Sequence, residues 1–302
     1  MADPVRVHQE IAGALEARRP VVALETALVS HGFPDGAGAE VAREAEARVR
    51  ETGAVPATIG VVDGTIRVGL GDEELERFAS SPDARKAGPR DLAACVTAGT
   101  LAATTVGGTL AVCRTVGIGF MATGGIGGVH RAYAERLDVS ADLAELARTE
   151  ALVVCSGAKS VLDVDATAEV LETLAVPVLG WRTSSFPRFY TAGGGAPVTA
   201  RVESAAEAAA LARMHWRLAR HSAVILAQPP AESLDVDGLV DAAVAQAERE
   251  GVRGTDVTPF LLSHLHEASG GKTIALNRRL IADNAALAAE VAVAYAVARS
   301  DR

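Results

Sequence analysis

Residues 151–163 read Ala-Leu-Val-Val-Cys-Ser-Gly-Ala-Lys-Ser-Val-Leu-Asp, an unbroken apolar run that stops at small residues and then presents a single lysine. A run that short with no polar side predicts a strand over 152–155, a turn over 156–158 and a helix from 160 to about 174. Strands apolar on both faces belong to sheets covered by helices on both sides. Similar runs at 21–25, 118–121, 176–181 and 223–227 alternate with helical spacing at 38–51, 205–220 and 236–250. That alternation argues for a single α/β domain over residues 1–302, built as a three-layer α/β/α arrangement. Residues 58–62 and 65–69 alternate around Asp63-Gly64, a preferred two-residue turn between antiparallel strands, so a central mixed β-sheet is expected. Further helices are expected through Val7, Ile11 and Leu15, over 73–78, from near Pro89, and over 101–117, 141–149, 259–268 and 273–300. The stretch 182–197, rich in Ser, Pro, Gly and aromatics, is long enough for a lid.

The chain has 302 residues, 49% hydrophobic and 22% charged, enough to bury a full core. A formal net charge of -9 with no basic run argues against nucleic acid or an anionic membrane as partner. Gly, Thr and Arg are expected to interrupt every apolar stretch before the ~18 residues that a bilayer crossing needs. Residues 1–10 lack the apolar centre of a signal peptide, so a cytoplasmic protein is expected. Cys95, Cys113 and Cys155 lie far apart in apolar surroundings and read as core residues, not as a disulfide frame or a zinc site.

Lys159 falls at the carboxyl end of its strand, the edge where open α/β sheets bind ligands. Apolar neighbours there favour the neutral amine that attacks a carbonyl. The same residues also allow a lysine that merely snorkels to water. Glu25 ends the apolar run 21–24, where a carboxylate is pushed toward its protonated form and becomes a general acid, unless backbone amides claim it. The loop from Ala84 to Leu92 brings Arg85, Lys86 and Arg90 to the start of a helix, an arrangement open to a phosphate or simply to solvent. Residues 122–131, Ala-Thr-Gly-Gly-Ile-Gly-Gly-Val-His-Arg, are the densest in glycine, and glycines after a strand let backbone amides approach an anion. Their spacing is not the dinucleotide fingerprint. Ser140 is placed to cap the next helix. Asp138 and Asp142, near His130, are either hard oxygen donors for Mg²⁺ or Mn²⁺ or helix caps. His264 and His266, two apart on a helix, face different sides and are not a ligand pair.

Together, several segments resemble the pseudouridine-5′-phosphate glycosidases, also called indigoidine synthase A-like proteins. They are Ala23-Leu-Glu-Thr26, Ser30-His-Gly-Phe-Pro34, Gly53-Ala-Val-Pro-Ala-Thr-Ile-Gly60, Arg90-Asp-Leu92, Ala103-Thr-Thr-Val106, the glycine segment 122–131, Asp138-Val-Ser-Ala-Asp142, Gly157-Ala-Lys-Ser160 and Thr258-Pro-Phe-Leu-Leu262. The similarity runs over about residues 6–299, and the ordered combination is specific although no single piece is. The resemblance implies a homotrimer, a divalent metal, usually Mn²⁺, and reversible cleavage of the C–C glycosidic bond of pseudouridine 5′-phosphate to uracil and ribose 5-phosphate. By position, Glu25 matches the family's proton donor, Lys159 its covalent nucleophile and Asp138 its metal ligand. Lys86 and Val106 match substrate contacts, and Ser140, Ala141 and Asp142 match a further substrate-binding run. A carbon leaving group explains why paired carboxylates alone would not serve such a reaction. The chain departs from the family at Gln228, where the segment usually begins with Asn-Pro, and in the loop 182–198. Two other functions fit the same residues: C-ribosylation of another planar carbon acid with ribose 5-phosphate, and sugar-phosphate binding without catalysis. A class I aldolase barrel is disfavoured, since eight βα units are not visible.

Overall fold

The apolar runs lie side by side in the computed structural model, which describes residues 3–34, 36–81, 83–131, 137–218, 221–252 and 257–300, with the side chains at 258, 259, 299 and 300 outside that description. In chain order the strands are β1 (Val5–Val7), β2 (Val21–Glu25), β3 (Val55–Val62), β4 (Thr65–Val68), β5 (Arg85–Ala87), β6 (Ala102–Thr104) and β7 (Phe120–Ala122). They continue as β8 (Val129–His130), β9 (Leu152–Cys155), β10 (Leu162–Asp163), β11 (Val178–Trp181), β12 (Ala200–Val202) and β13 (Val224–Ala227). An 11-stranded sheet follows the order β1-β4-β3-β2-β7-β9-β13-β11-β12, with β6 on β3 and β5 on β6, while β8 and β10 pair apart from it. From β3 across to β12 neighbours are parallel, and β4 and β6 run antiparallel to β3, so the sheet is mixed as the Asp63-Gly64 hairpin predicts.

The unbroken apolar runs have a direct cause in the packing. Along β9, Val153 and Cys155 join one hydrophobic cluster, and Leu152 and Val154 join the other, on the opposite face. β2 divides in the same way, with Val21 and Ala23 on one side and Val22 and Leu24 on the other. Each buried Val or Leu contributes roughly 1.5–3 kcal/mol, so these strands are stabilised from both faces. Helices Val106–Val116, Ala141–Leu146, Val164–Thr173 and Asp237–Glu250 cover the first face. Helices Gly38–Glu51, Ala205–Arg217 and Lys272–Ser300 cover the second. The expectation that every long apolar stretch is interrupted fails at this last helix, where an 18-residue window within Lys272–Ala298 has a mean hydropathy of 1.5. Its Ile281, Ala285, Ala288 and Val291 are buried in the second core cluster, which accounts for that composition.

Several local expectations are corrected. Residues 102–104, expected as the start of a helix, form β6, and the helix begins only at Val106. β6 continues the edge of β3 beyond the point where β2 ends, and two threonines seal the junction. The Thr26 hydroxyl donates to the Ile59 carbonyl at 2.8 Å and the Thr104 hydroxyl donates to the same oxygen at 2.6 Å. β5 then pairs with β6, so Lys86 lies on a strand in register with Ala103 and not in a loop. The helix expected near Pro89 starts at Leu92, because the Asp91 carboxylate accepts the Gly88 amide at 3.1 Å and holds a turn there. After Lys159 the chain makes β10 against β8 before its helix begins at Val164, capped by Asp163. Val7 belongs to edge strand β1, and His8 caps the helix Gln9–Glu16 that follows.

Candidate active site

β2, β7 and β9 are adjacent and parallel, so their carboxyl ends deliver Glu25, Thr123 and the turn 156–159 to one place. Glu25 is 4% exposed, and the Thr123 hydroxyl donates to its Oε1 at 2.5 Å. Burial pushes the Glu25 carboxyl above the ordinary carboxylate range; the Lys159 charge, the Thr123 hydrogen bond and the Lys86 charge oppose the rise, and the Asp142 charge adds to it. The result is a carboxyl disposed to hold a proton, the state a general acid requires.

The turn that presents Lys159 is held from two sides. Its amide donates to the Ile126 carbonyl at 3.2 Å, and the Ile126 amide donates to the Gly157 carbonyl at 3.1 Å, which stitches the turn to the glycine loop. On the other side, Gly157 has φ +87, and a Cβ there would stand 1.9 Å from the Pro187 carbonyl oxygen. The stretch 182–197, expected as a lid, is packed down at this point: Phe186 and Tyr190 are fully buried and the Phe189 amide donates to the Ser156 carbonyl at 2.9 Å. Lys159 itself is half-buried.

Two cavities meet at Glu25, Ala27, Lys86 and Lys159. The polar lobe, about 360 Å³, is lined by Arg90, Gly127, His130, Asp138, Ser140, Ala141 and Asp142 among others. Two helix starts, Thr105 before Val106 and Ser140 before Ala141, face it, and both residues are N-caps whose hydroxyls accept backbone amides. Lys86 and Arg90, beside the positive ends of two helices, form an environment for a phosphate. Asp142 contributes by architecture. Its Oδ1 accepts the Gly107 amide at 2.8 Å and its Oδ2 accepts the Gly127 amide at 2.9 Å, so it ties the glycine loop to the start of the helix Val106–Val116. Val106 is buried in the core and lines neither lobe; the helix it opens is what faces the site.

The apolar lobe is lined by Leu28, Phe189, Leu262 and Ile281, with His31, Thr123 and Asn277 as its polar groups. Sequence reasoning gave no role to Thr123, Asn277 or Phe189. Asn277, Ile281 and Asn284 share one face of the long helix, and two asparagines in an otherwise apolar stripe were the available signal. Asn284, fully buried, donates to the Thr123 carbonyl at 2.8 Å and to the Ser156 hydroxyl at 3.1 Å. Burial and the Lys86 charge hold the His31 imidazole below its ordinary range, against a hydrogen bond to the Ala84 backbone. Gln228 lines neither lobe; its backbone N–H donates to the Cys155 carbonyl at 2.8 Å. The Thr258 and Pro259 side chains lie outside the described residues.

Among the described residues no three His, Cys, Asp or Glu side chains gather as a metal site. Asp138 stands with His130 Nδ1 at 3.8 Å from its Oδ2, and Asp142 is occupied by backbone amides. One accessible carboxylate fits a hard divalent ion that keeps most of its water shell, as Mg²⁺-like ions do, and does not fit zinc. A larger cavity, about 520 Å³, opens at the amino-terminal edge of the sheet among Arg18, Arg19, Trp216 and Tyr295, but it contains neither Glu25 nor Lys159.

Residues 10–294 match the family model described as indigoidine synthase A like protein. A pseudouridine-5′-phosphate glycosidase from Caldanaerobacter subterraneus subsp. tengcongensis is 45% identical over 294 residues, covering 96% of each chain. One from Herpetosiphon aurantiacus is 47% identical over 290 residues, covering 94% of this chain and 96% of its own. Among solved structures, the prealnumycin C-glycosynthase AlnA in complex with ribulose 5-phosphate superposes with a TM-score of 0.90 at 40% identity, covering 99% of each chain. An indigoidine synthase A-like protein from Thermotoga maritima superposes with a TM-score of 0.87 at 37% identity, covering 96% of this chain and 95% of its own. A match this long, in sequence and in three dimensions, means that the chain belongs to the indigoidine synthase A-like family.

Proposed function

We propose that this protein is an enzyme that reversibly cleaves the C–C glycosidic bond of pseudouridine 5′-phosphate, giving uracil and ribose 5-phosphate. The observation that carries the reading is the meeting of a proton-holding carboxyl, Glu25, with Lys159 where an apolar lobe joins a cation-lined one. On this reading the planar base lies in the lobe of Leu28, Phe189 and Ile281, and the sugar phosphate lies beside Lys86 and Arg90. The relatives named as glycosidases support the reaction, and the C-glycosynthase that holds ribulose 5-phosphate supports a sugar phosphate as ligand.

Glu25 gives its proton to the ring oxygen as the C1′–O4′ bond opens, and Nζ of Lys159 bonds through its lone pair to C1′. The proton that Nζ sheds passes through the Glu25 carboxylate to C5 of the base. The C1′–C5 bond then breaks with its electron pair left on the base, while the nitrogen pair forms the C1′ iminium. Water adds to C1′, the amine leaves, and ribose 5-phosphate is released with Lys159 restored. A hydrated divalent ion at Asp138, Mn²⁺ by the resemblance, supplies charge beside the phosphate lobe when bound. A homotrimer completes the proposal and is checked by light scattering of the purified protein.

The test is to incubate the protein with Mn²⁺, ribose 5-phosphate and uracil, reduce with borohydride and look for added mass on the Lys159 peptide. An adduct there, with pseudouridine 5′-phosphate in the unreduced reaction, is the expected result. Normal turnover by Lys159→Ala would refute the imine route. Chelation should lower activity, and Mn²⁺ should restore it in the wild type but not in Asp138→Asn. The C-glycosynthase neighbour favours a second reading, C-ribosylation of another planar carbon acid. An adduct without that product would point to it.

A further inference from the structure

Asn284 lies on the carboxyl-terminal helix, within a segment that carries no direct chemistry, yet its side chain is buried at the middle of the site's frame. Its Nδ2 donates to the Thr123 carbonyl at 2.8 Å, to the Ser156 Oγ at 3.1 Å and, at 3.5 Å, to the Gly124 carbonyl. Two carbonyl acceptors fix the amide's orientation, since only its NH₂ side can meet them. Those bonds grip the two strand ends that carry the reaction: Thr123 follows β7, and Ser156 opens the turn to Lys159. Thr123 in turn places its hydroxyl 2.5 Å from Glu25 Oε1, with both residues buried.

A hydroxyl has one proton to donate. With that proton directed at Oε1, the carboxyl's own proton belongs on Oε2, the oxygen not engaged by the Thr123 hydroxyl. We propose that Thr123 and Asn284 are positioning residues for the acid: Thr123 selects which oxygen of Glu25 carries the transferable proton, and Asn284 holds Thr123 in the register that makes the selection. The inference rests on Glu25 being the acid of the proposed reaction. The other charged or titratable groups facing Glu25 are Lys159 from the turn after β9, Lys86 from β5, Asp142 from the helix Ala141–Leu146 and His31 from the helix Ala27–His31. All remain in place when only the Thr123 hydroxyl is removed.

The sign of the effect is fixed by the chemistry. A hydrogen bond donated to the carboxylate favours its ionised form, so losing it moves the Glu25 titration to higher pH. A lost bond to an ionisable group corresponds to a shift of about one pH unit or more. The experiment is an infrared titration of the protonated-carboxyl band, identified by its disappearance in Glu25→Gln, on the full chain without substrate. The midpoint should rise by about a unit in Thr123→Val, by less in Asn284→Ala, and stay at the wild-type value in Thr123→Ser. Thr123→Ala serves as the second variant if valine disturbs the fold. In turnover, Thr123→Val should lose at least tenfold in kcat with KM within about twofold, and Thr123→Ser should recover both. An unchanged midpoint in both Thr123→Val and Thr123→Ala overturns the inference. Because the infrared readout needs no turnover, a wild type inactive on pseudouridine 5′-phosphate would sink the functional reading and leave the positioning result to stand or fall separately.

Discussion

Replacing Asp142 by asparagine isolates the part of the site that is architecture. The carboxylate accepts one backbone amide on each oxygen, from Gly107 and Gly127, at 2.8 and 2.9 Å. An asparagine keeps one acceptor and turns an NH₂ toward the other amide. The retained bond loses its charge assistance, and the displaced one leaves a buried N–H facing a donor. Hydrogen bonds to charged groups contribute about 1.5–3 kcal/mol, and an unsatisfied buried donor costs about 1–3 kcal/mol, so the sum is roughly 2.5–6 kcal/mol. At about 2 °C per kcal/mol for a large domain, Tm should fall by roughly 5–12 °C. The assay is thermal unfolding by circular dichroism beside KM for the phosphorylated substrate, with Ser140→Ala as comparison. That variant removes only the acceptor that caps the helix Ala141–Leu146, worth about 1 kcal/mol. If Asp142→Asn kept its Tm within about 2 °C of wild type while KM rose tenfold, Asp142 would be a substrate ligand and not a tie between glycine loop and helix.

Glu25→Gln should lower turnover by about 10²–10⁴-fold while making the fold more tolerant of alkali. Burial pushes the folded carboxyl above the ordinary carboxylate range, so between the unfolded and the folded titration the native chain holds a proton that the unfolded chain releases. Stability from this group is complete below the unfolded value and is lost as pH rises through the folded one. The Tm difference, variant minus wild type, should therefore grow as pH rises past the ordinary carboxylate range; a flat difference would mean that Glu25 is ionised in the fold. Gly157→Ala should destabilise by at least ~3 kcal/mol, because φ +87 is strained for alanine and its Cβ would stand 1.9 Å from the Pro187 carbonyl oxygen. Denaturant unfolding measures the loss, and a wild-type midpoint would show that residues 182–197 do not hold the Lys159 turn.

The layers of the fold were legible because both faces of the sheet are covered, which writes unbroken apolar runs into β2, β9 and β13. The edges were not. β1, β6 and β12 are three residues long, too short for a period to register, and β6 is specified by Thr26 and Thr104 meeting at the Ile59 carbonyl, a contact across 78 positions of sequence. Glu25 and Lys159 stood out because a charge ends an apolar strand or follows it. Asp142 also stood out, as either an oxygen ligand or a helix cap, but nothing local reveals that Gly107 and Gly127 converge on its two oxygens. Thr123 and Asn277 were hidden by ordinariness, a threonine in a glycine loop and an asparagine on a long helix. Their roles exist only where β7, β9 and that helix meet.

One site can serve bond breaking and bond making because ring opening and the covalent bond to Lys159 involve only the sugar, and the base exchanges only a proton at C5 with Glu25. Glu25 and Lys159 stand at the junction of the lobes, where C1′ and the ring oxygen of a bound ribose phosphate belong. The groups that the proposed function sets around the base are a separate set, Leu28, Phe189, Ile281 and Asn277, drawn from helices and from the stretch 182–197. Changing the carbon acid that is released or captured therefore requires changes in those walls and none at Glu25 or Lys159. Relatives named for cleavage and a structural neighbour named for synthesis both fit such a division. For this chain the division places discrimination in Asn277: an amide offers a donor and an acceptor together, which matches the paired N–H and C=O edge of a pyrimidine. Asn277→Leu should keep the borohydride-trapped adduct of ribose 5-phosphate on Lys159 while losing at least tenfold in its use of uracil. Loss of the adduct itself would place Asn277 with the sugar and would break the separation.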